Sequence, residues 1–205
     1  MNTWIRRSFG AEGLTQHPVG PYLPKIQERF GGTVILCIDI SGSMCGTRLT
    51  KAVEGGHRFV RDALRAHYHV GIVLWHHDIG DTLPPTRDER KLTAFLDGAT
   101  CSGGNDITPT LRACHKWLRE RPVTTDRVVV IFGDGDLGDR TRAIESAAVL
   151  RADNIRILTV GLGDQAARAL DEISTETKDT PHTATPETIT SSIALMAKGL
   201  GRRSR

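Results

Sequence analysis

The pentapeptide Asp39-Ile40-Ser41-Gly42-Ser43 sets a carboxylate and two hydroxyls at alternate positions directly behind an apolar run, Val34-Ile35-Leu36-Cys37-Ile38. Delivered at the carboxyl end of a buried strand, such oxygens form a cluster where a doubly wound sheet places its ligand, which is first of all a metal-site hypothesis. A second carboxylate, Asp134, closes another apolar run, Val128 to Phe132. A third segment, Cys101-Ser102-Gly103-Gly104-Asn105-Asp106, is a polar loop that leads into a helix. If the strands are parallel, all three segments reach one rim. Carboxylates, hydroxyls and an amide, with neither a thiolate pair nor a histidine cluster among them, favour magnesium, calcium or manganese over zinc or copper.

The elements that must hold these groups follow from periodicity. Nearly continuous apolar runs at Thr33 to Ile40, His69 to Trp75, Arg127 to Phe132 and Ile155 to Val160 read as strands buried on both faces. Helical stripes separate them. Leu49, Ala52, Val53, Phe59, Val60, Ala63 and Leu64 form the first, with Gly55 and Gly56 suggesting close packing against the sheet. Further helices are predicted over Asp88 to Leu96, from Thr108 as N-cap with Pro109 at the first helical position, from Thr141 to Asn154, over Gln165 to Ile173 and over Pro186 to Leu200. Alternating strands and helices predict an α/β fold, a doubly wound and mostly parallel central sheet with helices on both faces.

The chain has 205 residues, enough for one well-cored domain, and its 27 basic against 24 acidic residues make no argument for nucleic acid. Residues 1–32 are punctuated by glycine and proline and read as a loop-like lead segment, with a short amphipathic piece at Leu23 to Phe30; residues 33–200 form the domain and 201–205 a basic tail. No apolar stretch has the length of a signal core or of a membrane span, and the expected location is cytoplasmic. The four cysteines lack paired spacing and are expected as reduced thiols, Cys37 and Cys114 in the core, Cys45 and Cys101 in loops brought towards one face, where a redox-sensitive pair is the lesser alternative.

In these residues the chain resembles the von Willebrand factor type A domain family, over roughly residues 33 to 200. The family's metal-ion-dependent adhesion site combines an Asp-x-Ser-x-Ser motif after the first strand, a threonine in a Gly-Gly-Thr-like loop and an aspartate after the fourth strand. Asp39, Ser41 and Ser43 match the first element and Asp134 the last. The middle element departs, since Asn105 follows Gly103-Gly104, and Gly133 precedes Asp134 where threonine or serine is more usual. The resemblance implies a metal site of Asp39, Ser41, Ser43, Asn105 and Asp134, with Asp106, Thr108 and Asp136 as secondary candidates. It also implies a short antiparallel edge strand, near Asp81 to Pro84, and a glycine-rich turn at Gly161-Leu162-Gly163 ahead of a helix.

Two aspartates and two neutral hydroxyls leave coordination positions of a divalent cation, magnesium first and manganese or calcium next, to water or an incoming group. The expected function is a metal-dependent protein–protein interaction module without enzymatic activity. By resemblance it captures an acidic residue of a partner protein, as an adaptor in a multi-protein system or beside an ATPase of the AAA+ class. A magnesium-dependent hydrolase or phosphotransferase on the same rim is the alternative from another class, and a structural module with a degenerate site is the third. A phosphotransferase of doubly wound type would need a second acid at position 41, where Ser41 stands. His76-His77 is expected to point to opposite faces of an extended chain. Trp75 and Trp117 read as core residues, and Trp4 as the more plausible partner contact.

Overall fold

The computed structural model describes residues 31–175 and 183–200. Trp4, the piece from Leu23 to Phe30 and the tail at 201–205 lie outside the described residues. Valine-rich and isoleucine-rich runs form the middle of the sheet, where β1 (Gly32–Asp39) and β4 (Asp126–Gly133) are buried along their whole length. Around them stand β2 (His69–Trp75), β3 (Ile79–Thr86), β5 (Arg156–Leu162) and the two-residue β6 (Thr183–Ala184), in the order β3-β2-β1-β4-β5-β6. Every pairing is parallel except β2 with β3. The antiparallel edge strand extends further than expected, and its Pro84 and Pro85 suit a strand that pairs on one side only among the described residues.

Period-two alternation along β1 divides the core. Val34, Leu36 and Ile38 pack on one face with α1 (Thr47–Arg65), α2 (Glu89–Asp97) and α6 (Ile189–Met196). Ile35 and Cys37 pack on the other with α3 (Thr108–Arg119), α4 (Arg140–Ala152) and α5 (Asp164–Asp171). The chain leaves β1 towards β2 on one side and returns through β4 and β5 on the other, so the topological switch point falls between β1 and β4. Asp39 and Asp134 follow from that register, in which Ile38 pairs with Phe132 and both strands end at the same rim.

Local expectations are corrected in four places. Gly55 packs against α6, where an added Cβ would meet Ile193 Cβ at 2.9 Å and the Thr190 carbonyl at 3.0 Å, while only Gly56 faces the sheet, through Ile38. Thr108 is the first residue of α3 and not its cap. The Asp106 carboxylate accepts from the Thr108 amide at 2.8 Å, so the helix start is served from two residues upstream. Helix α4 stops at Ala152, with Asn154 at φ 55° and the Ile155 amide donating back to the Leu150 carbonyl at 2.9 Å. Cys45 and Cys101 are joined in a disulfide, so the expectation of four reduced thiols holds only for Cys37 and Cys114, which are buried in the core.

Among the described residues no helix is long and apolar enough to cross a membrane.

Candidate metal centre

Three loops at the carboxyl rim converge as the sequence requires. Asp39 is fully buried, and its carboxylate accepts from the Ser41 amide at 2.8 Å through Oδ1 and from the Asp134 amide at 3.2 Å through Oδ2. The Ser41 and Ser43 hydroxyls lie 3.0 Å apart, and Ser43 donates onward to Asp134 Oδ2. Asp134 Oδ1 accepts from Asn105 Nδ2 at 3.1 Å and from the Asp136 amide at 3.2 Å. All five primary candidates therefore lie in one hydrogen-bonded cluster.

The secondary candidates divide. Asp136 reaches the cluster through its amide, while its carboxylate accepts from the Gly138 amide at 3.0 Å. Asp106 is engaged at the start of α3. The Thr108 hydroxyl is buried without a hydrogen-bond partner among the described residues.

Burial and proximity set the electrostatics. Loss of solvent pushes the Asp39 carboxyl up to about 6; the Asp134 charge adds to the rise, and bonds from Ser41 and from the Asp134 amide oppose it. Among the described residues no lysine, arginine or histidine forms an ion pair with either carboxylate. Arg48 donates to the Ser43 carbonyl at 3.1 Å and not to a carboxylate of the cluster. Asn105 Oδ1 is buried with no hydrogen-bond partner among the described residues, an unused acceptor on a side chain that already touches Asp134. Two under-compensated carboxylates, two hydroxyls and a spare amide oxygen fit a hard divalent cation. No three histidine, cysteine, aspartate or glutamate side chains group as a metal-holding set among the described residues, so any cation here depends on the neutral oxygens as well.

Gly133 has a packing reason. A Cβ there would stand 2.9 Å from Trp75 Cζ2 and 3.1 Å from Asp39 Oδ2, both on fully buried side chains, so the more usual threonine does not fit beside this tryptophan. Gly133→Thr should lower stability by roughly 1–3 kcal/mol through overpacking. Thermal unfolding of the variant checks this, and an unchanged midpoint would show that Trp75 yields.

Two features at this rim depart from the leading sequence expectations. His76 and His77 lie in a turn after β2, where the alternation of an extended strand no longer applies, and their Nδ1 atoms are 3.0 Å apart. They press on Gly103, whose φ of +73° and lack of a side chain leave room for His77. The Cys45–Cys101 disulfide joins the first and second rim loops, the pairing that the sequence offered only as the lesser alternative to reduced thiols.

The family model for the von Willebrand factor type A domain matches residues 34–136, a span that contains all five primary candidates. No curated protein matches the chain significantly in sequence. Solved structures share the fold. The von Willebrand factor domain of a type V pilus tip protein from Porphyromonas gingivalis superposes with a TM-score of 0.72 at 15% identity, covering 85% of this chain and 97% of that one. The conserved hypothetical protein BatB from Bacteroides thetaiotaomicron gives 0.65 at 21% identity, over 82% and 100% of the two chains. The manganese-loaded TRAP protein of Plasmodium vivax gives 0.64 at 17% identity, over 82% and 72%.

Proposed function

The chain belongs to the von Willebrand factor type A domain family, and from that premise we propose that it is a protein-binding module whose rim holds a divalent cation between Asp39, Ser41, Ser43, Asn105 and Asp134. The observation that carries the reading is the pair of carboxylates, Asp39 fully buried and bonded to the Asp134 amide, with no basic side chain of the described chain paired to either. A buried carboxylate beside a half-buried one calls for a counter-charge, and the spare Asn105 oxygen supplies a further donor for one. Manganese in the Plasmodium vivax relative of the same fold supports a divalent ion, with magnesium the first choice and manganese or calcium next.

Each residue has a part that its contacts support. The Ser41 and Asp134 amides fix both oxygens of Asp39, so this carboxylate is oriented before any ligand arrives. Ser43, on the exposed side of the loop, bridges Ser41 to Asp134. Asn105 closes the cluster from the glycine loop. A cation bound among them supplies an electrophilic position that a partner's carboxylate can fill. Such a pair at the centre of an interface costs about 2–5 kcal/mol when one member is lost.

The module comprises residues 33–200, with 1–32 as a lead segment and 201–205 as a tail, and acts without turnover as an adaptor of a multi-protein or AAA+ ATPase system. Its location is cytoplasmic, where the Cys45–Cys101 bond is exchangeable instead of permanent. Recovery of a partner should require magnesium, fall on chelation and be lost with Asp39→Ala. Undiminished recovery in both arms removes the cation from the mechanism. Metal-dependent phosphoester turnover that is lost with Asp134→Ala would establish the enzymatic alternative in its place.

A further inference from the structure

We infer that the Cys45–Cys101 disulfide is a redox-set positioning device for the cation site, so that oxidation of this pair tightens cation binding and reduction loosens it; the inference rests on the cation reading above. The two cysteines sit on the two loops that bring neutral oxygens to the rim. Cys45 lies two residues after Ser43 and Cys101 four residues before Asn105. Asp39 and Asp134 need no such help, because each leaves the end of a buried strand whose neighbour fixes it. Ser43 and Asn105 have no ladder behind them. Apart from the disulfide, the loops are joined by two backbone hydrogen bonds, Gly42 amide to Gly103 carbonyl at 3.0 Å and Ser102 amide to Ile40 carbonyl at 2.7 Å. Those bonds keep the loops adjacent after reduction, so the oxygens drift without dispersing. Affinity then falls and does not vanish.

The chemistry available to the four cysteines is divided by burial. Cys37 and Cys114 are fully buried with their sulfurs 3.6 Å apart, and burial holds the Cys37 thiol well above its ordinary range, so neither meets a reagent. Cys45 is exposed and Cys101 half-buried, within reach of a dithiol of small-molecule or protein origin. A thiolate of that dithiol attacks one sulfur of the bond, forming a mixed disulfide, and its second thiol displaces the cysteine. Two electrons and two protons pass to Cys45 and Cys101, and the reductant departs as a disulfide. A disulfide oxidant reverses the step.

Groups that orient metal ligands are typically worth 10–100-fold in affinity, and the surviving backbone bonds place this one at about tenfold. Manganese titrations of the full chain, oxidised and then reduced with a phosphine, should show that weakening, and Cys45→Ser/Cys101→Ser should match the reduced protein. Linkage requires the reciprocal: saturating manganese should shift the dithiol–disulfide equilibrium of Cys45–Cys101 about tenfold towards the disulfide, or about 30 mV, read by alkylation in a redox buffer. This second measurement uses the unmodified chain and decides the matter even if the double variant fails to fold. A purely structural disulfide would lower the unfolding temperature on reduction and show no manganese dependence of its equilibrium. Equal manganese affinity in both oxidation states overturns the redox inference alone, whereas an oxidised chain that binds no manganese, magnesium or calcium overturns the cation reading and this inference with it.

Discussion

Asp134→Asn should weaken divalent-cation binding by about two orders of magnitude or more and leave the chain folded. The Asp134 carboxylate accepts from three donors, the Ser43 hydroxyl, Asn105 Nδ2 and the Asp136 amide. An amide oxygen keeps the last two, and its NH2 can donate to Ser43, whose hydroxyl then turns to Ser41 at 3.0 Å. No buried donor is left unmade, so the usual 1–3 kcal/mol cost of an orphaned polar group does not arise. What is lost is one of the two charges that attract a cation. Even outer partners of a metal ligand are worth 10–100-fold in affinity, so removing a charged ligand should weaken manganese or magnesium by about 100-fold or more. Titration calorimetry reads the affinity and circular dichroism the fold. Retained binding would place the cation elsewhere, and a lost fold would show that the charge itself organises the rim.

The parts legible from sequence were those in which one residue type has one physical outcome. Val128 to Phe132 cannot be anything but a strand buried on both faces, and an aspartate that ends such a run must emerge at its rim, which is why Asp39 and Asp134 meet. The disulfide was legible only as the lesser alternative: the two loops were expected on one face, but Cys45 and Cys101 are 56 residues apart and no spacing marks them as a bonded pair. His76 and His77 were misread for a related reason: the alternation of a strand stops one residue earlier, at Trp75, and a turn brings both rings to the same side. Gly133 looked like a departure without cause until Trp75 supplied one across the sheet. The two residues of β6 are too few to carry any period and owe their place to Gly161 and Leu162 beside them.

Without metal, the chain should be more stable at pH 5 than at pH 7, and saturating manganese should reverse the order. Burial holds Asp39 at about 6 in the folded state against an ordinary 3.8. Between those values the native protein binds a proton that the unfolded chain has released, so stability falls as pH rises. The contribution is fully present below about pH 4 and is lost through pH 6; in all it is on the order of 3 kcal/mol, of which about 1 kcal/mol falls between pH 5 and pH 7. Asp153, Glu172 and Glu187 shift the other way, held low by His115, Arg140 and Thr185 respectively, and act only as pH drops towards their ordinary range. Of these four shifted carboxyls only Asp39 changes its state between pH 5 and 7. A bound cation prefers the carboxylate and competes with the proton, so its stabilising effect must grow with pH through the same window. Chemical denaturation at both pH values, with chelator and with manganese, reads the two slopes. Asp134→Asn removes the charge that helps to raise Asp39, so in chelator its slope should flatten, and in manganese it should not invert. A chelated wild-type chain that gains stability from pH 5 to 7 would mean that Asp39 is already a compensated carboxylate, and the case for a missing counter-ion would fall with it.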